Sequence, residues 1–161
     1  MPLADYQTLD IVAKFIAIIG GTASLAFGAY QLLVNTRINR ARFWLELRRM
    51  FAEHNEVHRK LRPLGAWHQS MEHPTPEELP EVEAYMGLLE HCNDMMEQKL
   101  IDWETFNGIY GYRVTNIMSN RLIVKAKLVD NAQGWERFIW LVNRRPDWQR
   151  RLEEVRKENT R

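Results

Sequence analysis

Apolar residues run almost unbroken from Ile11 to Val34, IVAKFIAIIGGTASLAFGAYQLLV, a stretch of 24 residues. At about 1.5 Å of helical rise per residue the run reaches roughly 36 Å, more than the roughly 30 Å of a hydrocarbon core. It predicts one transmembrane helix over 11–34. Asp5 and Asp10 precede it, Lys14 sits in its first turn, and Arg37, Arg40, Arg42, Arg48 and Arg49 follow. Positive charge stays on the cytoplasmic side, so the N-terminus is expected outside and the remainder inside a bacterial inner membrane. Ser24-Leu25-Ala26 resembles a signal cleavage site, but its leader is acidic and the run continues into a basic cluster. Gly20, Ser24 and Gly28 recur every four residues, a small-residue ridge suited to packing against a second membrane helix.

Beyond the run the period changes. Phe43, Leu47, Met50, His54, Val57 and Leu61 alternate in steps of four and three, the spacing of a heptad seam or of one packed helical face. With no Pro or Gly between, the membrane helix is expected to continue into a juxtamembrane helix over 35–62, ended by Arg62-Pro63-Leu64-Gly65. Residues 63–80 are rich in proline and read as a loop. Thr75-Pro76-Glu77-Glu78 resembles an N-cap, a proline at N1 and a capping-box acid. Val82, Tyr85, Met86, Leu89 and Met96 mark a second helix running toward Lys99. Asp102 is the expected N-cap of a third, with Phe106, Ile109, Tyr110, Arg113, Ile117 and Val124 near one face. Asp130-Asn131 breaks the pattern before a helix over 135–142, and Pro146 opens a last one.

The fold class this predicts is all-α. The expected organisation is a short extracytoplasmic segment over 1–10, the membrane helix over 11–34, the juxtamembrane helix over 35–62, the loop over 63–80 and a small cytoplasmic helical bundle over 81–161. The stretch LLEHCNDMMEQKLIDWETFNGIYGYRV, Leu88 to Val114, resembles an uncharacterised family of small bacterial membrane-anchored proteins. The resemblance rests on the helix around Leu88 to Glu97, the turn Leu100-Ile101-Asp102 and the aromatic Phe106. It implies one N-terminal span and a helical cytoplasmic domain, and no chemistry.

Composition adds little except in the arrangement of charge. One cysteine, Cys92, excludes an internal disulfide and suits a reducing compartment. The net charge of +1 conceals blocks: residues 36–62 carry eight Lys/Arg against three acids, 64–107 carry ten acids against Lys99 alone, and 108–161 carry twelve bases against six acids. The acidic block is able to pack beside either basic one, or to remain a solvated surface.

Candidate chemistry is sparse. His54 and His58 stand four apart, but their order is not His-Glu-x-x-His, and no spacing selects a third ligand from His68, His73, His91, Cys92 or Asp94. Glu90, Asp94 and Glu97 form an acidic ladder without the Glu-x-x-His pairs of a di-iron bundle. Gly108-Ile109-Tyr110-Gly111 lies inside a helix and lacks the strand–turn–helix context of a phosphate loop. Neither metal nor cofactor is expected, nor is nucleic acid as a partner.

The C-terminal stretch WERFIWLVNRRPDWQRRL interleaves aromatics with basic residues. Arg113, Arg121, Arg144, Arg145, Arg150 and Arg151 are therefore candidate contacts for an anion or a membrane surface. The leading reading is a single-pass, non-enzymatic assembly or accessory protein whose partners are the bilayer and further copies of itself or a membrane complex. Gly20, Ser24 and Gly28 would pack in the membrane, and Phe43, Leu47, Met50, Val57 and Leu61 would form the seam. The alternative is a ligand-gated membrane effector of stress or defence that senses a small anionic or nucleotide signal through its arginines.

Overall fold

The computed structural model describes residues 27, 28, 30, 31, 34, 35, 38, 39, 41–68 and 72–159. Two compact units divide the chain at residue 45, Met1–Leu45 and Glu46–Arg161. Among the described residues all regular structure is helical. In the second unit the helical residues 46–53 form α1, followed by α2 (Asn55–Leu61), α3 (Leu79–Glu97), α4 (Trp103–Ser119), α5 (Arg121–Ile123), α6 (Glu136–Val142) and α7 (Pro146–Asn159). A π-helical segment, Val124–Val129, continues directly from α5, and a 3-10 turn, Ala132–Trp135, leads into α6.

Helix α3 occupies the centre, packed against α2, α4 and α6. Its stripe Val82, Tyr85, Met86, Leu89, Cys92 is inaccessible to solvent, in steps of three and four that keep one face inward. Buried residues on the other helices repeat the pattern: Phe106, Tyr110, Val114 and Ile117 on α4, Phe138, Leu141 and Val142 on α6, and Trp148, Leu152 and Val155 on α7, which packs on α4. Leu47, Val57 and Leu61, three positions of the expected seam, are buried in this same core, whereas Phe43 and Met50 are half-buried. The helix does not run unbroken through the seam, because His54 interrupts it as a turn residue.

Charge joins the helices at their edges. The acids of α3 meet bases from the C-terminal third: Glu83 with Lys127, Asp94 with Arg137 at 2.5 Å, and Glu97 with Arg144. Glu90 accepts a hydrogen bond from the Phe138 N–H at 3.0 Å. That amide lies in the first turn of α6, whose N-cap residue Trp135 provides no side-chain acceptor. A carboxylate on a neighbouring helix thus satisfies an amide that the helix itself leaves unpaired. The acidic block and the last basic block are in this way matched within one chain.

Two turns carry non-glycine residues at positive φ, Lys99 at 58° and Leu64 at 69°, a conformation costing about 1–2 kcal/mol for an L-residue. Lys99 closes α3 in a Schellman arrangement, with Leu100 N–H on Met95 O at 2.9 Å and Lys99 N–H on Met96 O at 3.0 Å.

Several sequence expectations need correction. Among the described residues no helix is long and apolar enough to cross a membrane. The one of sufficient length, α3 with 19 residues, carries Glu81, Glu83, Glu90, Asp94 and Glu97 and buries a single face against protein. The single-pass anchor, the bilayer as partner and the inner-membrane placement with an outside N-terminus are therefore not supported, and a membrane-anchored assembly protein or effector is not retained. Most of the run over 11–34, with Gly20 and Ser24, lies outside the described residues; Gly28 is described and has open space where a side chain would project.

The third helix stops earlier than the sequence implies. Asn120 interrupts it, capping α5 by accepting from the N–H groups of Leu122 at 3.1 Å and Ile123 at 3.0 Å. Its side-chain amide donates to the Trp67 carbonyl at 2.6 Å, tying the preceding loop to the core. Asp102 caps α4 as expected, accepting from Thr105 N–H at 2.7 Å. Replacing fully buried Asn120 by alanine removes the cap and leaves the Trp67 carbonyl without this donor. The expected loss is about 2–3 kcal/mol, measured as a lower urea midpoint at constant m-value.

Candidate functional site

The polar group least compensated by its surroundings is Arg113 on α4. It continues the apolar face set by Phe106 and Tyr110, so folding drives its side chain inward, and only 8% of the residue stays accessible. Four rings surround the guanidinium: Phe51 at 4.8 Å, Tyr112 at 5.6 Å, and Tyr85 and Tyr110 at 5.9 Å each. These come from α1, α3 and α4, and Phe51 stacks on Tyr110 at 4.3 Å. A desolvated cation over aromatic faces gains up to about 2 kcal/mol, less than the several kcal/mol its transfer from water costs.

No carboxylate balances it among the described residues. Arg113 Nη1 donates to the Tyr85 hydroxyl at 3.1 Å, and its buried Nε–H has no hydrogen-bond partner. The Tyr85 hydroxyl shares a second hydrogen bond with His58 Nδ1, 3.3 Å away. Because arginine only donates, Arg113 donates to Tyr85, while the direction of the Tyr85–His58 bond is set by which nitrogen of neutral His58 carries the proton. His58 is held in that neutral form. Burial, then Arg113 and Arg62, push its pKa down to about 4. Burial also raises Tyr85 to about 12, against the pull of Arg113. His58 and half-exposed Tyr112 meet edge to face at 5.4 Å on the outer side of the cluster.

Four of the other five candidate arginines are paired with acids inside the chain. Arg144 donates to Asn93 Oδ1 at 3.1 Å, pairs with Glu97 and lies over Trp103. Arg145 pairs with Asp147 at 2.6 Å, stacks on Trp148 at 4.4 Å and holds the Asp147 carboxyl below its ordinary range. Arg121 pairs with Glu158 and Arg151 with Glu154 at 3.1 Å, while Arg150 is exposed. The six arginines therefore do not form one site, and Arg113 stands apart.

His54 and His58 both approach Tyr85, at 6.0 and 6.4 Å between ring centres, and no cluster of three His, Cys, Asp or Glu able to hold a metal occurs among the described residues. Cys92 is buried, and burial raises its pKa to about 12, which keeps the thiol protonated and unreactive. Periodicity had placed Arg113 on an apolar face, and that was the available signal for the cluster. Phe51 was missed because the expected seam ran through Met50, one residue away.

The network makes stability depend on pH in a definite direction. Unfolded His58 takes up a proton near its ordinary pKa of 6.5, whereas folded His58 resists protonation down to about 4. Its contribution is present in full above pH 6.5, declines as the pH falls toward 4, and levels off below. Comparing melting temperatures across pH 4 to 7 for the natural chain and His58→Gln isolates this component, which the variant is expected to lack.

No protein-family model matches the chain, and neither a curated protein nor a solved structure matches it. The resemblance to a membrane-anchored family drawn from Leu88 to Val114 is thus without support, and no helix among the described residues supplies the span that family requires.

Proposed function

We propose that the helical domain is a non-catalytic binding domain for a small molecule bearing an anionic group, and that Arg113 is the residue that takes it. The carrying observation is an arginine nine-tenths buried, with no carboxylate partner among the described residues and an Nε–H without a hydrogen-bond partner. A buried donor left unpaired costs about 1–3 kcal/mol, which an incoming carboxylate or phosphate oxygen would recover. A charge-assisted bond to such an oxygen is among the stronger polar contacts available to a protein.

The surrounding groups support binding over catalysis. A general acid or base works best with a pKa near the working pH. The two titratable partners in the network sit far from neutrality, His58 at about 4 and Tyr85 at about 12. Both act instead as fixed dipoles that orient the arginine. His58 and Tyr112 form the outer wall through which a ligand would enter, so uptake requires those rings to part.

The test is thermal unfolding of the full chain with acetate, succinate, inorganic phosphate and adenosine monophosphate, beside Arg113→Met. A ligand at one hundred times its dissociation constant adds about 2.7 kcal/mol, a rise of several degrees. The Met variant removes an uncompensated buried charge while keeping volume, so its ligand-free melting temperature is expected to rise and its response to anions to vanish. A panel without effect, or a Met variant that responds like the natural chain, would sink the reading.

A further inference from the structure

A second strained feature lies at the end of α2, and it involves neither the rings nor the buried cation around Arg113. Arg62-Pro63-Leu64-Gly65 is a β-turn closed by the Gly65 N–H on the Arg62 carbonyl at 2.8 Å. Proline at its second position and positive φ at its third make it a type II turn, whose third position favours glycine. Leucine occupies that position, and its side chain is fully exposed. Packing against the described chain therefore returns nothing for a conformation that glycine would adopt without strain.

Close contacts and hydrogen bonds tie the turn to the end of α2 and to the core. Gly65 lies so close to the end of α2 that a Cβ there would come within 2.3 Å of the Lys60 carbonyl oxygen. Trp67, buried in the core, donates its N–H to the same carbonyl at 2.9 Å. The Lys60 ammonium lies over the Trp67 ring at 4.8 Å and pairs with Glu78 at 2.5 Å. Beyond the turn, Asn120 grips the Trp67 carbonyl.

Beside Leu64 is a depression of about 440 Å³ lined by Arg59, Arg62, Pro63, Leu64, Gly65 and Ala66. Its charge is positive. Arg62 is exposed and has no ion pair among the described residues, and Arg59 holds only an exposed pair with Glu56, which a competing carboxylate displaces at little cost. A protruding leucine beside two arginines matches an acidic surface that also offers an apolar side chain. It does not match a basic or purely polar one.

We propose that the Arg62–Gly65 turn is a docking tip for a protein partner, taking an acidic segment with an apolar residue into the depression beside Arg59, Arg62 and Leu64. Strain kept at a fully exposed leucine is what a contact made outside the chain would leave in the free protein. The same position then gives opposite effects on stability and on binding, a signature that a merely tolerated surface residue lacks.

The experiment uses the full chain and three synthetic peptides: alternating glutamate and leucine, the same with lysine for glutamate, and the same with serine for leucine. Fluorescence anisotropy is expected to show the first binding at least roughly ten-fold tighter than either of the others. Leu64→Gly is expected to lose roughly ten-fold in affinity for it while melting a few degrees higher. Arg62→Glu is expected to lose the acidic peptide and gain the lysine peptide. Equal binding of the three peptides, unchanged affinity in Leu64→Gly, an unchanged or lower melting temperature in that variant, or failure of Arg62→Glu to switch preference would each overturn the proposal. None of these readouts depends on Arg113, so the outcome is separate from that of the anion test.

Discussion

The second unit is organised around the inward face of α3. Val82, Tyr85, Met86, Leu89 and Cys92 contact no solvent, and α2, α4 and α6 all pack on that helix. Burying such a stripe supplies the main stabilisation. The acids along its edges then fix which elements come alongside and in what register. Glu90 illustrates the coupling: burial raises its pKa, yet it accepts the Phe138 amide at the start of α6, so one carboxylate is both a buried cost and a helix cap.

Against this background of satisfied charge, two places stand out because the described chain does not satisfy them. Arg113 is enclosed by rings and linked to Tyr85 and His58 but lacks an opposite charge among the described residues. Leu64 is held in a glycine-like conformation with its side chain in solvent. Both reduce the stability of the free protein, and natural sequences retain such features mainly where function requires them. They lie on different residues and call for different chemistry, an anionic group at one and an acidic, apolar protein surface at the other.

Much of the fold was legible along the chain. The cap at Asp102, the helix start at Pro146, the break at Asp130-Asn131 and the inward stripe of α3 all follow from near neighbours, because helical periodicity and capping act over three or four residues. The long apolar run over 11–34 shows the limit of that logic. Hydropathy over a window implied a span, yet no described helix has the required length and apolarity, and most of the run lies outside the described residues. The seam was half legible too: Leu47, Val57 and Leu61 are inward as the period requires, but His54 breaks the helix and Phe51, not Met50, enters the core.

The sequence by itself determined that this protein is helical, where the helices at Trp103 and Pro146 begin, and which blocks carry opposite charge. Only the tertiary structure decided which charges far apart in the chain meet. Asp94 and Arg137 are 43 residues apart, and so are far outside the reach of any local pattern. Six arginines looked alike as candidates. Packing gave Arg121 and Arg144 acidic partners far along the chain and drew Arg113 beneath aromatic rings. Arg145 and Arg151 pair instead with acids two and three residues away, and Arg150 is in solvent. Whether a charge is paired, solvated or stranded depends on which helices lie side by side. For partners far apart in the chain, that is set by the summed burial of the apolar faces of those helices.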